Sequence, residues 1–272
     1  MQFSTYHQIP LWLDFVIFLA VLLAALELGY RIGIRRKEAW KEDEGTGGKI
    51  SLTSMFAVLG LMLAFTFGAA ISRHEARKRA VIAEANALGT AFLRAGLVDE
   101  PGRTELRTDL LAYARTRRSD RNVKMTVERL ESLLEQSWNA KAKLWPATER
   151  IVQNSRRGPI EALLVAAVTD VTDCDTVRVA AIFDSLPPMV LTLLLLIAAA
   201  TVSVTGFNAG LAGRISRWRT TLLILVLAAI MLVILDFDRS VAGFIRVSRN
   251  SIDAVIAEME EGLAQGQATP SD

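Results

Sequence analysis

The stretch LTSMFAVLGLMLAFTFGAAI, residues 52–71, is an uncharged apolar run of the length that a helix needs to cross a bilayer. Three further long apolar runs occur in the chain, at residues 11–30, 189–207 and 218–237, and the first and last of these include a few charged residues. Soluble domains do not contain four such runs, so the sequence predicts a multi-pass membrane protein of the all-α class. An even number of spans places both termini and the long segment between spans two and three on one side of the membrane.

The four spans divide the chain into two transmembrane hairpins, a helical extramembrane domain between them, and a C-terminal helix followed by a disordered tail. The predicted boundaries are 1–71 for the first hairpin, 72–188 for the extramembrane domain, 189–237 for the second hairpin and 238–272 for the C-terminal part. Residues 266–272 are polar and contain Gly and Pro, which predicts disorder for the tail.

Helical spacing of apolar residues continues through the middle of the chain, and breakers divide it into helices. Span two is expected to run on into water until Pro101, which opens the next helix. A third helix is predicted from about Val123, with Pro146 as a kink or end, and Gly158 with Pro159 opens a fourth. The apolar stripe predicted for the third helix consists of Val127, Leu130, Leu133, Leu134 and Trp138.

Composition excludes several classes of site. The chain is 51% hydrophobic and 22% charged, and its net charge of +2 gives no sign of a nucleic-acid partner. One cysteine, Cys174, and two histidines leave no basis for a disulfide framework or a Cys/His metal site, so no cofactor is expected. His74-Glu75 lacks the second histidine of a zinc protease helix, and the glycines before Lys49 do not have phosphate-loop spacing. The sequence therefore predicts no enzyme.

Charge near the membrane leaves the orientation open. The first hairpin loop carries Arg31, Arg35, Arg36 and Lys37, which by the positive-inside rule places both hairpin loops in the cytoplasm. The opposite side is also basic close to the membrane, so the difference is narrow.

Span two carries a row of small residues at four-residue intervals, which permits close approach of another helix. The row consists of Gly60, Ala64, Gly68 and Ser72. Packing within the chain and packing between subunits are both open. Gly206, Gly210 and Gly213 near the end of span three are less regularly spaced, and a flexible hairpin accounts for them. Phe65 and Phe67, beside the row on span two, either constrict a pore or contact lipid and core.

Charged residues in the spans are candidates for an ion path. Asp14 lies in the first turn of span one, where the helix dipole favours an anion, and Glu27 is placed to pair with Arg31. Arg73 and Arg77, one turn apart at the exit of span two, form a basic ring at a pore mouth if several copies surround an axis. The alternative is that they anchor the helix at the headgroups.

Two segments carry a family resemblance. The stretch LGLMLAFTFGAAISRHEARKRAVIAEANALGTAFLRAGL, residues 59–97, resembles the signature of the bacterial bestrophin-like membrane proteins, which are distantly related to bestrophin chloride channels. The stretch ILDFDRSVAGFIRVSRNSI, residues 234–252, is a second match, and the four-span layout covers nearly the whole chain.

The resemblance implies a homo-oligomeric ion channel, specifically an anion channel, of the bacterial inner membrane. Bestrophins are pentamers whose second span lines the pore and whose helical domain is cytosolic, so Phe65 and Phe67 become candidates for the neck. This chain has no counterpart of the bestrophin calcium clasp. The expected partners are lipid, inorganic ions and further copies of the chain. The alternative is a non-conducting membrane scaffold or sensor whose helical domain binds a partner.

Overall fold

The computed structural model describes residues 10–37, 44–118, 127–155, 158–213, 216–239, 247–248 and 250–268. All the regular elements in these ranges are helices, which confirms the all-α class. They are α1 (Leu11–Arg36), α2 (Glu44–Ala95), α3 (Gly102–Thr116), α4 (Val127–Asn154), α5 (Pro159–Phe183), α6 (Pro188–Leu211), α7 (Arg217–Asp238) and α8 (Asn250–Ala268). Four stretches in the described ranges are long and apolar enough to cross a membrane, as the sequence predicts.

The chain divides into two units. The first, which we call the apolar unit, comprises Gln2–His74 and Ser185–Ile245. The second, the polar unit, comprises Glu75–Asp184 and Arg246–Asp272. Helix α2 contributes residues to both. The predicted boundary at residue 72 lies close to this division.

In the apolar unit, α1 packs closely against α6, and glycines make the approach possible. A Cβ atom added at Gly29 or Gly33 of α1 would collide with the backbone of α6. The same holds for Gly206 and Gly210 of α6 against the backbone of α1. The interpretation of Gly206 and Gly210 as part of a flexible hairpin is therefore wrong. That interpretation suits only Gly213, which follows α6 and has a φ angle of 65°.

The polar unit has its own apolar core, to which α2, α3, α4, α5 and α8 all contribute. Its largest fully buried side chains include Leu88, Leu106, Tyr113, Leu144, Leu164 and Ile252. The predicted break after span two is confirmed, since α2 ends at Ala95 and α3 follows Pro101. The predicted start of α5 is confirmed as well, and there the Glu161 carboxylate accepts a hydrogen bond of 2.7 Å from the Gly158 N–H.

Helix α4 buries Leu130 of the predicted apolar stripe and half-buries Leu133 and Leu134, but it exposes the last member of the stripe. Trp138, assigned to the apolar stripe, is 72% exposed, whereas the neighbouring Ser137 is buried together with Leu144. The polar Ser137 turns inward because its hydroxyl accepts a hydrogen bond of 2.9 Å from Arg117 Nη1. The helix also continues through Pro146 without ending. The side chain of Val127 lies outside the described residues.

Helix α8 extends to Ala268, three residues into the segment 266–272 for which the sequence predicts disorder. Residues 269–272 lie outside the described part of the chain, as do residues 240–246 and 249 of the second family motif. Lys49 of the first hairpin loop also has no described side chain.

Candidate functional site

The outer face of α2 is the candidate site, because it carries the small-residue row. On the inner face, residues at alternating intervals of four and three are buried, namely Leu59, Leu63, Thr66 and Ala70. Gly60, Ala64, Gly68 and Ser72 are exposed on the other side of the helix. A Cβ atom added at Gly60 or Gly68 would meet no heavy atom within 4 Å. The row is therefore not used for packing within the described chain.

Phe65 and Phe67 flank this row on opposite sides, because two residues along an α-helix correspond to a rotation of about 200°. Phe65 is 68% exposed, whereas Phe67 is 36% exposed. The ring of Phe67 contacts the ring of Phe237 edge to face, with 5.9 Å between centroids, and Phe237 contacts His74 in the same manner at 5.5 Å. Phe67 is thus held against α7, and Phe65 extends from the surface of the chain.

The two arginines of the predicted basic ring have different surroundings. Arg73 is half-buried, and its Nη1 donates to the Ala69 carbonyl one turn earlier at 3.5 Å. Arg77 is buried, and its Nη1 donates to the Asp184 carbonyl at 3.3 Å. Because Arg77 is held inside the polar unit, Arg73 is the more accessible of the two charges.

Each acid of span one has a basic partner. Glu27 pairs with Arg31 as predicted, with 2.7 Å between Oε1 and Nε, and both side chains are more than half exposed. Asp14 is buried and forms an ion pair with the buried Arg239, which follows α7. The sequence analysis missed this second pair, because the partners are 225 positions apart. The signal available in the sequence was the combination of acidic and basic residues at the end of span four, which lies in the second family motif.

A set of buried and partly buried charges lies within the polar unit, and we call it the charge cluster. Its members are Glu84 of α2, Arg117 after α3, Lys141 of α4, and Asp175 and Arg178 of α5. Arg117 Nε lies 2.7 Å from Glu84 Oε1, and Arg117 Nη2 lies 3.1 Å from Asp175 Oδ1. Lys141 pairs with Asp175, and Arg178 pairs with Glu84.

Tyr113 completes the cluster by donating a 2.8 Å hydrogen bond from its hydroxyl to Glu84 Oε1. Burial raises the pKa of Tyr113 far above its ordinary value, and the negative charge of Glu84 raises it further. Burial alone lowers the pKa of Arg117, but Glu84, Tyr113 and Asp175 together more than offset this, so that its pKa lies above the ordinary value. Both groups therefore keep their protons at neutral pH, and the cluster acts as a fixed connection between helices.

The sequence profile of the bestrophin-like domain matches residues 16–252, which is most of the chain. The chain belongs to the bestrophin-like family. The resemblance in the two sequence motifs is thereby confirmed, and the protein is a membrane protein with the channel-like architecture of that family.

Solved structures show the same fold. The bestrophin-like chain resembles a bacterial bestrophin homolog from Klebsiella pneumoniae, in a variant with one tryptophan replaced by alanine, with a TM-score of 0.58 at 14% identity. The alignment covers 92% of this chain and 98% of that one. A second variant of the homolog, with an isoleucine replaced by threonine, gives a TM-score of 0.54 at 14% identity, and the alignment covers 89% and 99% of the two chains. None of the curated proteins matches the chain.

The bestrophin-like match includes the whole of α2 and the charge cluster. The sequence analysis did not select Glu84, Arg117 or Asp175, since each lies in a segment that contains several other charges. In the described residues, no group of His, Cys, Asp and Glu is arranged to hold a metal ion.

Proposed function

We propose that this bestrophin-like protein is a homo-oligomeric ion channel of the bacterial inner membrane, in which the α2 helices of several copies line the pore. The observation that carries the proposal is the exposed row of Gly60, Ala64, Gly68 and Ser72, in which a Cβ atom at either glycine would meet no heavy atom of the described residues within 4 Å. Small side chains allow helices from neighbouring copies to approach closely around an axis. A pentamer is the assembly that the family resemblance implies.

Phe65 is the better of the two neck candidates in this proposal. Its ring is largely exposed, whereas Phe67 is already packed against Phe237. A ring of phenylalanines from several copies would form an apolar constriction of the kind that gates by excluding water. Phe67 then supports the wall of the pore by fixing α2 against α7.

The proposed ion preference is for anions, and Arg73 supports it. Symmetry-related copies of a half-buried arginine at the exit of α2 would raise the local anion concentration at the pore mouth. Arg77 contributes its charge from a buried position, without contacting the ion. The alternative reading as headgroup anchors predicts no effect on selectivity.

Recording from the purified protein in planar bilayers tests the proposal. We expect discrete conductance steps whose reversal potential under a salt gradient lies toward the anion limit, and a larger conductance for Phe65→Ala. Phe67→Ala is the matched control, and it should change conductance less. Silence across voltage, pH and calcium concentration, from protein shown to be folded and oligomeric, would contradict conduction.

A non-conducting scaffold or sensor is the second candidate, and helix α4 favours it. Trp138 and Trp145 are 72% and 50% exposed and lie seven residues apart, on one face of the helix. Exposed tryptophans on one face are typical of a protein interface. Photo-crosslinking in cells from position 142, an exposed alanine about one turn from each tryptophan, would identify a partner, and Trp138→Ala with Trp145→Ala should abolish that crosslink without changing helicity. A crosslink only to a second copy would instead assign the face to the oligomer.

A further inference from the structure

A groove in the polar unit is separate from the α2 row and from the charge cluster. Its volume is about 410 Å³, which falls in the range of small-molecule sites. Helices α2, α3 and α8 line it, with an apolar floor and two charged side chains. The principal lining residues are Phe92, Leu93, Arg107, Val255, Glu258 and Met259.

Two glycines keep the groove open. A Cβ atom at Gly262 of α8 would lie 3.0 Å from Phe92 Cε1, and one at Gly89 of α2 would lie 3.2 Å from Val255 Cγ2. A larger side chain at either position would fill the space between the helices or push them apart.

Arg107 is held in place at the wall of the groove. Its Nε donates to the Phe92 carbonyl at 3.2 Å, and its guanidinium carbon lies 4.5 Å from the centre of the Phe92 ring. Among the described residues no carboxylate forms an ion pair with it, in contrast to Arg103, Arg115 and Arg150. Burial lowers the pKa of Arg107, the nearby charge of Arg103 lowers it further, and the charge of Glu100, which forms no ion pair with it, offsets part of this. A half-buried cation without a paired anion favours an anionic ligand.

We propose that this groove binds a small organic acid with an apolar body and a single carboxylate. The carboxylate would accept hydrogen bonds from Arg107, and the body would lie on Phe92, Val255 and Met259. Glu258, which is exposed at the same groove, disfavours a second negative charge on the ligand. The site lies in the polar unit and does not depend on whether the protein conducts ions.

Calorimetric titration of the full-length protein in nanodiscs with 4-phenylbutyrate tests the proposal. This probe dissolves without forming micelles, and its uncharged relative 4-phenylbutanamide measures the contribution of the carboxylate. We expect saturable binding of the acid and binding of the amide that is weaker by about tenfold or more. Empty nanodiscs give the contribution of partition into lipid.

Three variants locate the site. Arg107→Gln should weaken binding of the acid by about tenfold, whereas Arg103→Gln, which removes the same charge one turn away outside the groove, should change it little. Gly262→Leu should abolish binding by occupying the groove while leaving Arg107 in place. Glu258→Gln should strengthen binding at low ionic strength, a gain that misfolding cannot produce.

Several outcomes overturn the proposal. Equal affinities for acid and amide would show that Arg107 does not bind the carboxylate. Equal affinities for the native protein and Gly262→Leu would show that the probe binds outside the groove. If the heat of titration does not exceed that measured with empty nanodiscs, the probe only partitions into lipid. Unchanged or weaker binding by Glu258→Gln would contradict the electrostatic assignment.

Discussion

The Arg117 guanidinium lies 2.7 Å from the Glu84 carboxylate, and both side chains are buried in the polar unit. Arg117 directly follows α3 and Glu84 lies in α2, so this pair connects two helices that a loop separates along the chain. Removal of one partner leaves a buried charge with incomplete compensation.

We therefore expect Arg117→Met to lower the free energy of unfolding by about 3–5 kcal/mol. The matched control is Arg115→Met, since Arg115 forms a 2.7 Å ion pair with Glu260 in which both side chains are about half exposed. This control should cost about 1 kcal/mol or less. Denaturant titration followed by circular dichroism measures both. Similar losses for the two variants would show that the charge cluster has no special role.

Alkaline pH should destabilise the polar unit through Tyr113. Burial and Glu84 raise its pKa above the ordinary 10.0, so the folded protein retains a proton that the unfolded chain releases. The stabilisation is complete below the unfolded pKa and is lost progressively as pH rises above it. We expect the free energy of unfolding to decrease above about pH 10.

Tyr113→Phe tests this assignment through the slope of stability against pH. The variant loses the hydrogen bond to Glu84 at every pH, at a cost of about 1.5–3 kcal/mol, but it should show a smaller decrease above about pH 10. Tyr30→Phe is the control, and it should keep the slope of the native protein. Identical slopes in all three proteins would assign the alkaline loss to other groups.

Glycines on two faces of the apolar unit should respond differently to the same substitution. Gly206→Leu places a side chain against the Leu26 carbonyl and the Tyr30 backbone of α1, so we expect the packing of α1 on α6 to be lost. This loss of packing would be measured as a decrease in the thermal stability of the purified protein. Unchanged stability would mean that α1 and α6 are not in this close contact.

A Cβ atom at Gly68, in contrast, meets no heavy atom of the described residues within 4 Å, so we expect Gly68→Leu to retain helicity and thermal stability. If the row faces a neighbouring copy, the variant should dissociate the oligomer, which detergent-corrected mass from light scattering would detect. A native mass would assign this face to lipid or to the pore lumen.

Reversal of the charge at Arg73 tests the proposed pore mouth. Arg73→Glu should move the reversal potential under a salt gradient toward cation selectivity, because symmetry-related charges act within a Debye length of about 8 Å. Arg79→Glu, which reverses an exposed charge six residues further along α2, is the control and should leave selectivity nearly native. Arg77 is unsuitable for this test because its hydrogen bond to the Asp184 carbonyl makes misfolding the expected result of its removal. A conducting Arg73→Glu variant with native selectivity would refute the ring.

The sequence by itself determined the class of protein and the positions of the spans. A bilayer core requires about 20 apolar residues whose backbone groups bond within the segment, and this requirement can be read along the chain without knowledge of any neighbour. The same is true of the breaks at Pro101 and at Gly158-Pro159, because the ring of proline and the lack of a side chain in glycine act locally.

Only the tertiary structure decided which face each helix buries. Periodicity shows that Gly60, Ala64 and Gly68 share one face, but their exposure depends on where α1, α6 and α7 pack. Trp138 was assigned to the wrong face for this reason, since Arg117 draws the neighbouring Ser137 inward. The pairs Asp14–Arg239 and Glu84–Arg117 join residues from distant segments. Charge attraction acts through space, so the spacing of residues along the chain contains no record of such partners.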